Sequence, residues 1–239
     1  MRHIAVILAG GTGSRVGGKT PKQLLPLEDG RSILEHSVDA FEQAECIDEI
    51  AIVMHPDWIG AVQGMCLQNS WQKVQQIIPG GAERWESSWK AIEVFRSQCS
   101  DVSLWLHDAA RPFVSQRILA DVAKALETSA AVTVAVPMTD TLYKVESLEF
   151  FRSADAVWSV ERSLKVESIP ARADFMRAQT PQAFHLEVLK EAFERALKEG
   201  AVAATDDVGI VHKYLPEQPI TIVAGEEANR KITYAEDLK

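Results

Sequence analysis

An α/β fold, a mostly parallel sheet with helices on both faces, is what this sequence predicts, and three observations predict it. Short apolar runs such as Ile4-Ala5-Val6-Ile7-Leu8 and Glu49-Ile50-Ala51-Ile52-Val53-Met54 lack the alternation of a half-exposed strand and read as strands buried on both faces. Segments with apolar residues at helical spacing stand between them. Glycine-rich turns follow several of the strands, at the edge of an open sheet where ligands bind.

The elements follow in order. The strand from Ile4 to Leu8 runs into Gly10-Gly11-Thr12-Gly13. Ser32-Ile33-Leu34-Glu35 is a capping box, and Leu34, Val38 and Phe41 line one face of the helix it opens. The strand Glu49 to Met54 leads to a helix from about Asp57. A third strand, Val74 to Ile78, ends at Pro79-Gly80-Gly81, and Arg84 to Arg96 is helical. Leu104-Trp105-Leu106 is a strand, and Ser115 caps a helix that turns Ile118, Val122 and Leu126 inward. Ala131 to Val136 is a further strand. From Val136-Pro137 onward the alternation stops, and Leu142 to Val145 and Ala156 to Val160 read as short irregular strands. Thr180-Pro181 is an extended lead into a helix with Leu186, Leu189 and Phe193 on its core face. Thr205-Asp206-Asp207-Val208 either caps a helix or offers a ligand from one of its acids, and Ile220 to Val223 is a strand. Thr233-Tyr234-Ala235-Glu236 reads as a capping box for a final helix.

Composition limits the function classes. A chain of 239 residues with 46% hydrophobic content can build one domain with a sizeable core, and no Pro/Gly/Ser-rich linker divides it. A net charge of −9 and a pI near 5.2 argue against nucleic acid or an anionic membrane as main partner, since both demand a basic face. Anionic ligands must then meet a local cluster of Arg and Lys. Only Arg2 and His3 separate Met1 from the first strand, and no apolar run reaches spanning length, so a cytoplasmic protein is expected. Cys46, Cys66 and Cys99 lack metal-ligand spacing and read as incidental free thiols.

The chemistry suggested by the first loop is phosphate handling. Glycines let main-chain N–H groups approach a polyphosphate, and Arg15, Lys19 and Lys22 supply positive charge against a developing oxyanion. Gly13 to Thr20 also fits the Walker A pattern G-x-x-x-x-G-K-S/T, with Leu104 to Asp108 in the place of a Walker B strand. That match reads as accidental, because Pro26 would break the helix that a P-loop must open. The dinucleotide fingerprint fails too, with Val16 where its third glycine belongs. Gly80-Gly81-Ala82-Glu83-Arg84-Trp85-Glu86-Ser87 can hold a nucleobase against main-chain groups, or be an ordinary strand-to-helix turn; Trp85 and Trp89 read as packing residues. Asp108, leaving a buried strand at the ligand edge, is placed either to hold Mg²⁺ or to pair with Arg111.

Leu8-Ala9-Gly10-Gly11-Thr12-Gly13-Ser14-Arg15 followed by Pro21-Lys22-Gln23 resembles the signature loop of the alditol-phosphate cytidylyltransferases, the family of 2-C-methyl-D-erythritol 4-phosphate cytidylyltransferase and its relative ribitol-5-phosphate cytidylyltransferase. His107-Asp108-Ala109-Ala110-Arg111-Pro112, the Gln179-Thr180-Pro181-Gln182-Ala183-Phe184 string and Gly225 to Thr233, with Asn229 and Lys231, also resemble family motifs in family order. The resemblance implies a Rossmann-like nucleotidyltransferase sheet with a protruding β-arm at about 138–172 that reaches across a homodimer. It implies Arg15 and Lys22 as catalytic residues. It implies Ala9, Gly10, Gly11, Thr12, Gly13, Gly81, Ala82, Arg84, Ser87 and Ala109 at the nucleotide, with Asp108 as the Mg²⁺ ligand. Arg111, Thr141, Arg172 and Lys231 would position the alditol phosphate, two of them from the arm.

The substrates implied are CTP and an alditol phosphate. The His-Asp-Ala-Ala-Arg-Pro and Thr-Asp-Asp strings lean toward methylerythritol phosphate. Leu-Ala-Gly-Gly, Ile-Pro-Ala-Arg and a stretch between Asp140 and Arg172 longer than the family suggests lean toward ribitol phosphate. A P-loop ATPase and a catalytically silent nucleotide sensor are the readings from other classes; Pro26 speaks against the first, and Arg15, Lys22, Asp108 and Lys231 together against the second.

Overall fold

A computed structural model describes residues 1–11, 20–98, 101–145, 165–200 and 204–238. Its strands are β1 (Arg2–Ala9), β2 (Glu49–Met54), β3 (Val74–Pro79), β4 (Val102–Asp108), β5 (Ala131–Pro137), β6 (Lys144–Val145), β7 (Val166–Ser168), β8 (Met176–His185) and β9 (Thr221–Ala224). The α-helices are α1 (Ile33–Glu42), α2 (Ile59–Asn69), α3 (Arg84–Phe95), α4 (Gln116–Leu126), α5 (Leu186–Lys198) and α6 (Asp207–Tyr214). The seven-stranded sheet has the order β3-β2-β1-β4-β8-β5-β9. Strands β3, β2, β1 and β4 are mutually parallel, and β9 runs parallel to β5.

Successive residues of the central strands feed two cores. On one face Ala5, Ile7, Ile50 and Ile52 pack with Leu34, Val38 and Phe41 of α1 and with Ile118 and Val122 of α4. On the other, Ile4, Val6, Ala51 and Val53 pack with Ile92 and Phe95 of α3, Leu189 and Phe193 of α5, and Ile210 of α6. This is the period of a strand expressed in burial, and it explains why β1 and β2 carry no alternation. Trp85 and Trp89 pack against the second core, and the Trp89 ring stacks on Phe193 at 6.1 Å.

Local signals hold at most helix starts. Ser32 and Glu35 form the reciprocal box, Ser115 accepts from the Ile118 N–H, and Asp206 caps α6 by accepting from Gly209. The C-terminal box differs from its expected form: Asp237, not Glu236, accepts from the Thr233 and Tyr234 N–H groups, and only a 3₁₀ turn, Ala235–Leu238, follows. The larger difference is β8. The stretch expected to be a mere lead into α5 is a ten-residue strand, antiparallel to β4 and inserted between β4 and β5. Residues from Gln179 to Phe184 are all buried, polar ones included, so neither alternation nor an apolar run marks the strand.

Residues 136–177 form a compact unit separate from that of 1–135 and 178–239. In it β6 and β7 pair antiparallel, and the Met138 N–H donates to the Phe175 carbonyl. The expected strand at Ala156 to Val160 lies outside the described residues. No helix among the described residues is long and apolar enough to cross a membrane. Cys46 and Cys66 are free, burial pushes both thiols up, and Cys99 lies outside the described residues.

Candidate active site

Parallel strands bring their carboxyl ends to one edge, and the motifs gather there. Leu8 of β1 lies in register with Asp108 of β4. The turn after β1 and the turn after β3 then come back to back: a Cβ on Gly80 would sit 3.5 Å from the Gly10 Cα and 3.2 Å from the Ser87 hydroxyl. At either glycine a Cβ would crowd the Ser87 hydroxyl, 3.3 Å away from Gly10 and 3.2 Å from Gly80, because Ser87 fills the space between them. Its hydroxyl accepts the Gly81 N–H at 3.1 Å. A Cβ on Gly81 would come within 2.3 Å of the Glu86 Cβ, so this position is closed to side chains while the α3 capping box stands. The Glu86 carboxylate accepts from the Ala82 N–H at 2.6 Å.

After Pro21, Lys22–Leu24 form a single 3₁₀ turn and the chain is extended again at Leu25, so no helix opens where a P-loop requires one. Lys22 is buried and points its ammonium to the Ile232 carbonyl, 2.7 Å away. Ile232 in turn donates its N–H to the Ala110 carbonyl, which lays the C-terminal segment across the end of β4. The Gln23 amide donates to the Gly11 carbonyl at 3.1 Å.

Asp108 is the centre of the charge distribution. Its Oδ1 accepts from Arg84 Nε at 3.1 Å and its Oδ2 from Lys231 Nζ at 2.7 Å. Arg84 also donates through Nη1 to Asp207 Oδ2 at 2.6 Å. Burial alone would raise the Asp108 carboxyl, but the charges of Arg84 and Lys231 and the bonds they donate hold it well below the usual carboxylate range. Asp207 is wholly buried, and that burial pushes its carboxyl up against the pull of Arg84. Asp108 therefore pairs with Arg84 and Lys231, not with Arg111. The Arg111 guanidinium instead donates to the main-chain carbonyls of Asn229, at 2.8 Å, and Ala178, at 3.0 Å.

Behind Asp108 lies a buried polar relay. The Asp108 N–H donates to the Thr180 hydroxyl at 3.1 Å, which leaves that hydroxyl its proton for His107 Nδ1 at 3.0 Å. The network so assigns the ring proton to Nε2, which donates to the Arg111 carbonyl at 3.0 Å. Burial lowers the His107 pKa to about 4, which keeps the ring neutral in the fold. The unfolded chain takes up a proton on this histidine near pH 6.5 and the fold only near 4, so stability from this group is complete above pH 6.5 and is lost as pH falls between the two. At about 1.36 kcal/mol per unit the loss is about 3 kcal/mol. Urea midpoints followed from pH 7 to pH 4 should show that slope, and His107→Gln should remove it; an unchanged slope in the variant would contradict the assignment.

The other expected residues are placed as follows. Ala9 and Ala109 are buried; the Ala109 N–H donates to the Leu8 carbonyl, and the Ala109 carbonyl accepts from the Ser37 hydroxyl. Gly10, Gly11, Gly81, Ala82, Arg84 and Ser87 line one cleft of about 290 Å³, together with Lys22, Asp108 and Lys231. Thr12, Gly13 and Arg15 lie outside the described residues. Thr141 is exposed in the 136–177 unit, where Arg172 begins a 3₁₀ turn and donates to the Thr139 carbonyl at 2.9 Å. A smaller cavity of about 170 Å³ is lined by Arg111, Thr180, Gln182 and Asp206. Arg84, Asp108 and Lys231 border both cavities. Sequence reading missed Gln182, whose amide holds the start of α6, and the pairing of Arg84 with Asp207. The available signal was a set of polar residues inside a stretch that the fold had to bury.

Comparison with known proteins agrees with this geometry. The family model described as IspD, 2-C-methyl-D-erythritol 4-phosphate cytidylyltransferase, matches residues 3–239. A Thermobifida fusca protein named 2-C-methyl-D-erythritol 4-phosphate cytidylyltransferase is 41% identical over 237 residues, covering 99% of this chain and 90% of its own. A bifunctional ribulose 5-phosphate reductase/CDP-ribitol pyrophosphorylase of Haemophilus influenzae is 35% identical over 99% of this chain and 47% of its own length. Among solved structures, Francisella tularensis 2-C-methyl-D-erythritol 4-phosphate cytidylyltransferase aligns with a TM-score of 0.76 at 25% identity, over 100% of this chain and 97% of its own.

Proposed function

The chain belongs to the 2-C-methyl-D-erythritol 4-phosphate cytidylyltransferase family, and from that premise we propose that it transfers the cytidylyl group of CTP to 2-C-methyl-D-erythritol 4-phosphate, releasing pyrophosphate. It is a nucleotidyltransferase, and the product is a CDP-alditol on the non-mevalonate route to isoprenoid precursors. The observation that carries the reading is the shared wall. Two cavities, the larger against both glycine turns, meet at Arg84, Asp108 and Lys231, as a transfer between two bound phosphates requires.

An acceptor phosphate oxygen forms a bond to the α-phosphorus while the bond from that phosphorus to the bridging oxygen breaks, and the electron pair leaves on pyrophosphate. The acceptor oxygen is already anionic, so no strong general base is needed; the barrier lies in bringing one anion onto another. Lys22 and Arg15 stabilise charge on the α-phosphate and the leaving group, and Lys231 aims the acceptor phosphate. Arg111 lines the smaller cavity and is held by the carbonyls of Ala178 and Asn229, and its place there supports a role in holding the alditol phosphate.

Mg²⁺ is the cofactor in this reading, and Asp108 is the residue that would hold it. Among the described residues no three His, Cys, Asp or Glu side chains converge, which suits a hard ion that keeps most of its shell as phosphate oxygens and water. When bound, the ion screens the triphosphate charge. A cytoplasmic homodimer is part of the same reading, in which the arm supplies Thr141 and Arg172 to the neighbouring copy. Neither nucleic acid nor a membrane is a partner, consistent with a net charge of −9.

One observation favours a second acceptor, ribitol 5-phosphate: the Haemophilus influenzae relative matched over 99% of this chain is named a CDP-ribitol pyrophosphorylase. Pyrophosphate release from CTP, measured side by side with the two alditol phosphates, decides between them. A higher kcat/KM with methylerythritol phosphate is expected, and preference for ribitol phosphate would reverse the assignment.

A further inference from the structure

We propose that Asp207, in the first turn of α6, is a positioning residue for the transfer reaction, acting through Arg84 to hold one oxygen of Asp108 and to leave the other facing the cleft. The inference rests on the reading of Asp108 as the carboxylate that holds the divalent cation.

Four groups of alternating charge lie in a row, Asp207, Arg84, Asp108 and Lys231, joined by contacts of 2.6, 3.1 and 2.7 Å. A guanidinium is a planar fork, and its usual partnership with a carboxylate is bidentate, taking both oxygens. Arg84 does not do this. It spends Nη1 on Asp207 Oδ2 and only Nε on Asp108, at Oδ1. Asp108 Oδ2 is thereby left to Lys231, whose side chain is 40% exposed and can be drawn off by a phosphate.

Helix capping does not account for Asp207. Asp206 caps α6, accepting from the Gly209 N–H at 2.9 Å, so the second acid is surplus to the helix end. An acid with a wholly buried side chain is costly unless paired, and Arg84 is the partner it is given. Its remaining oxygen faces the buried Ser88 hydroxyl without a bond of good geometry. The placement is rigid. Gln182 of β8 accepts from the Asp207 and Val208 N–H groups at 3.1 and 3.2 Å and donates to Asp206 Oδ2 at 2.7 Å, which pins the start of α6 to the sheet beside Asp108.

Without the charge of Asp207, Arg84 is drawn more strongly to Asp108, its only other charged partner among the described residues, and turns onto the oxygen that a cation needs. Outer partners of metal ligands typically change metal affinity by about 10- to 100-fold when removed. Asp207→Asn, which keeps the shape and removes the charge, should therefore weaken Mn²⁺ binding to the CTP-bound protein about tenfold or more. Electron paramagnetic resonance of free Mn²⁺, with CTP present and no acceptor, reads this apart from turnover. In kinetics the half-saturating Mg²⁺ concentration should rise while kcat at excess Mg²⁺ stays near that of the wild type. A purely structural role would lower the unfolding midpoint and leave both cation readouts unmoved.

Arg84→Lys is the second variant, since one ammonium cannot bridge both acids, and it decides the matter if Asp207→Asn fails to fold. Wild-type Mn²⁺ affinity in a folded Asp207→Asn, or in Arg84→Lys where that variant must stand in, overturns the inference. Asp108→Asn separates the two levels. If Mn²⁺ binding is lost in Asp108→Asn but intact in Asp207→Asn, the inference alone falls; if it survives Asp108→Asn, the assignment of Asp108 falls and takes the inference with it.

Discussion

Lys22→Ala is expected to lower kcat by about a hundredfold or more while the protein stays folded. A donor aimed at charge that develops in a transition state is worth roughly 2.7–4 kcal/mol when removed, and Lys22 lines the larger cavity with its ammonium held in place by the Ile232 carbonyl. Burial makes a second account necessary, because Lys22 also ties its turn to the C-terminal segment that carries Lys231. The two accounts separate cleanly. Losing one such bond at a cleft wall costs about 1 kcal/mol and lowers the unfolding midpoint by about 2–4 °C in a chain of this size. Lys22→Met keeps the stem and removes the charge. If charge is the point, Met loses as much turnover as Ala, and its unfolding midpoint falls only by the about 2–4 °C of the one lost bond. If Lys22→Met turns over normally while Lys22→Ala is both slow and unstable, Lys22 acts through the packing of its buried stem and the catalytic role is wrong.

Most of the sheet was legible because its signals are local. Ser32 with Glu35, and Ser115 before Ile118, mark helix starts within a few residues, and β1 and β2 are short enough that a continuous apolar run can only be a strand with both faces covered. The unread strand, β8, is different in kind. Gln179, Thr180 and Gln182 are buried to serve other groups, the loop at Asn229, the N–H of Asp108 and the start of α6, so their polarity says nothing about their strand. The charged row at the site was hidden for the same reason. Asp108 stands three residues from Arg111, yet it pairs with Arg84, 24 positions away, and Lys231, 123 positions away. Strand order sets those partners, and no spacing in the chain encodes it. In Asp206-Asp207 the helix start was visible, but which acid would cap and which would turn inward depends on the docking of α6 against Gln182.

Asp108→Asn is expected to be the more damaging substitution, with turnover falling roughly a thousandfold or more at an Mg²⁺ concentration that saturates the wild type. Charge stabilisation by a bound divalent cation is worth several kcal/mol, and each factor of ten in rate is about 1.4 kcal/mol. An amide retains one oxygen acceptor and loses the negative charge, so Arg84 and Lys231 are left close together with a single formal counter-charge, Asp207, shared between them. That alone must destabilise the fold. Breaking a wholly buried ion pair costs about 3–5 kcal/mol, and the cost here is smaller because Lys231, 40% exposed, can turn to water. The measurement that matters is therefore the metal dependence, not the rate by itself. If Asp108 served only to hold the two cations apart, Asp108→Asn would lower the unfolding midpoint and weaken acceptor binding while leaving half-saturation by Mg²⁺ where it was. If Asp108 holds the ion, saturation disappears over the accessible range and no excess of Mg²⁺ restores turnover. A folded Asp108→Asn within tenfold of wild-type kcat at saturating Mg²⁺ would mean that the triphosphate and water hold the ion unaided, and that this carboxylate is an electrostatic spacer.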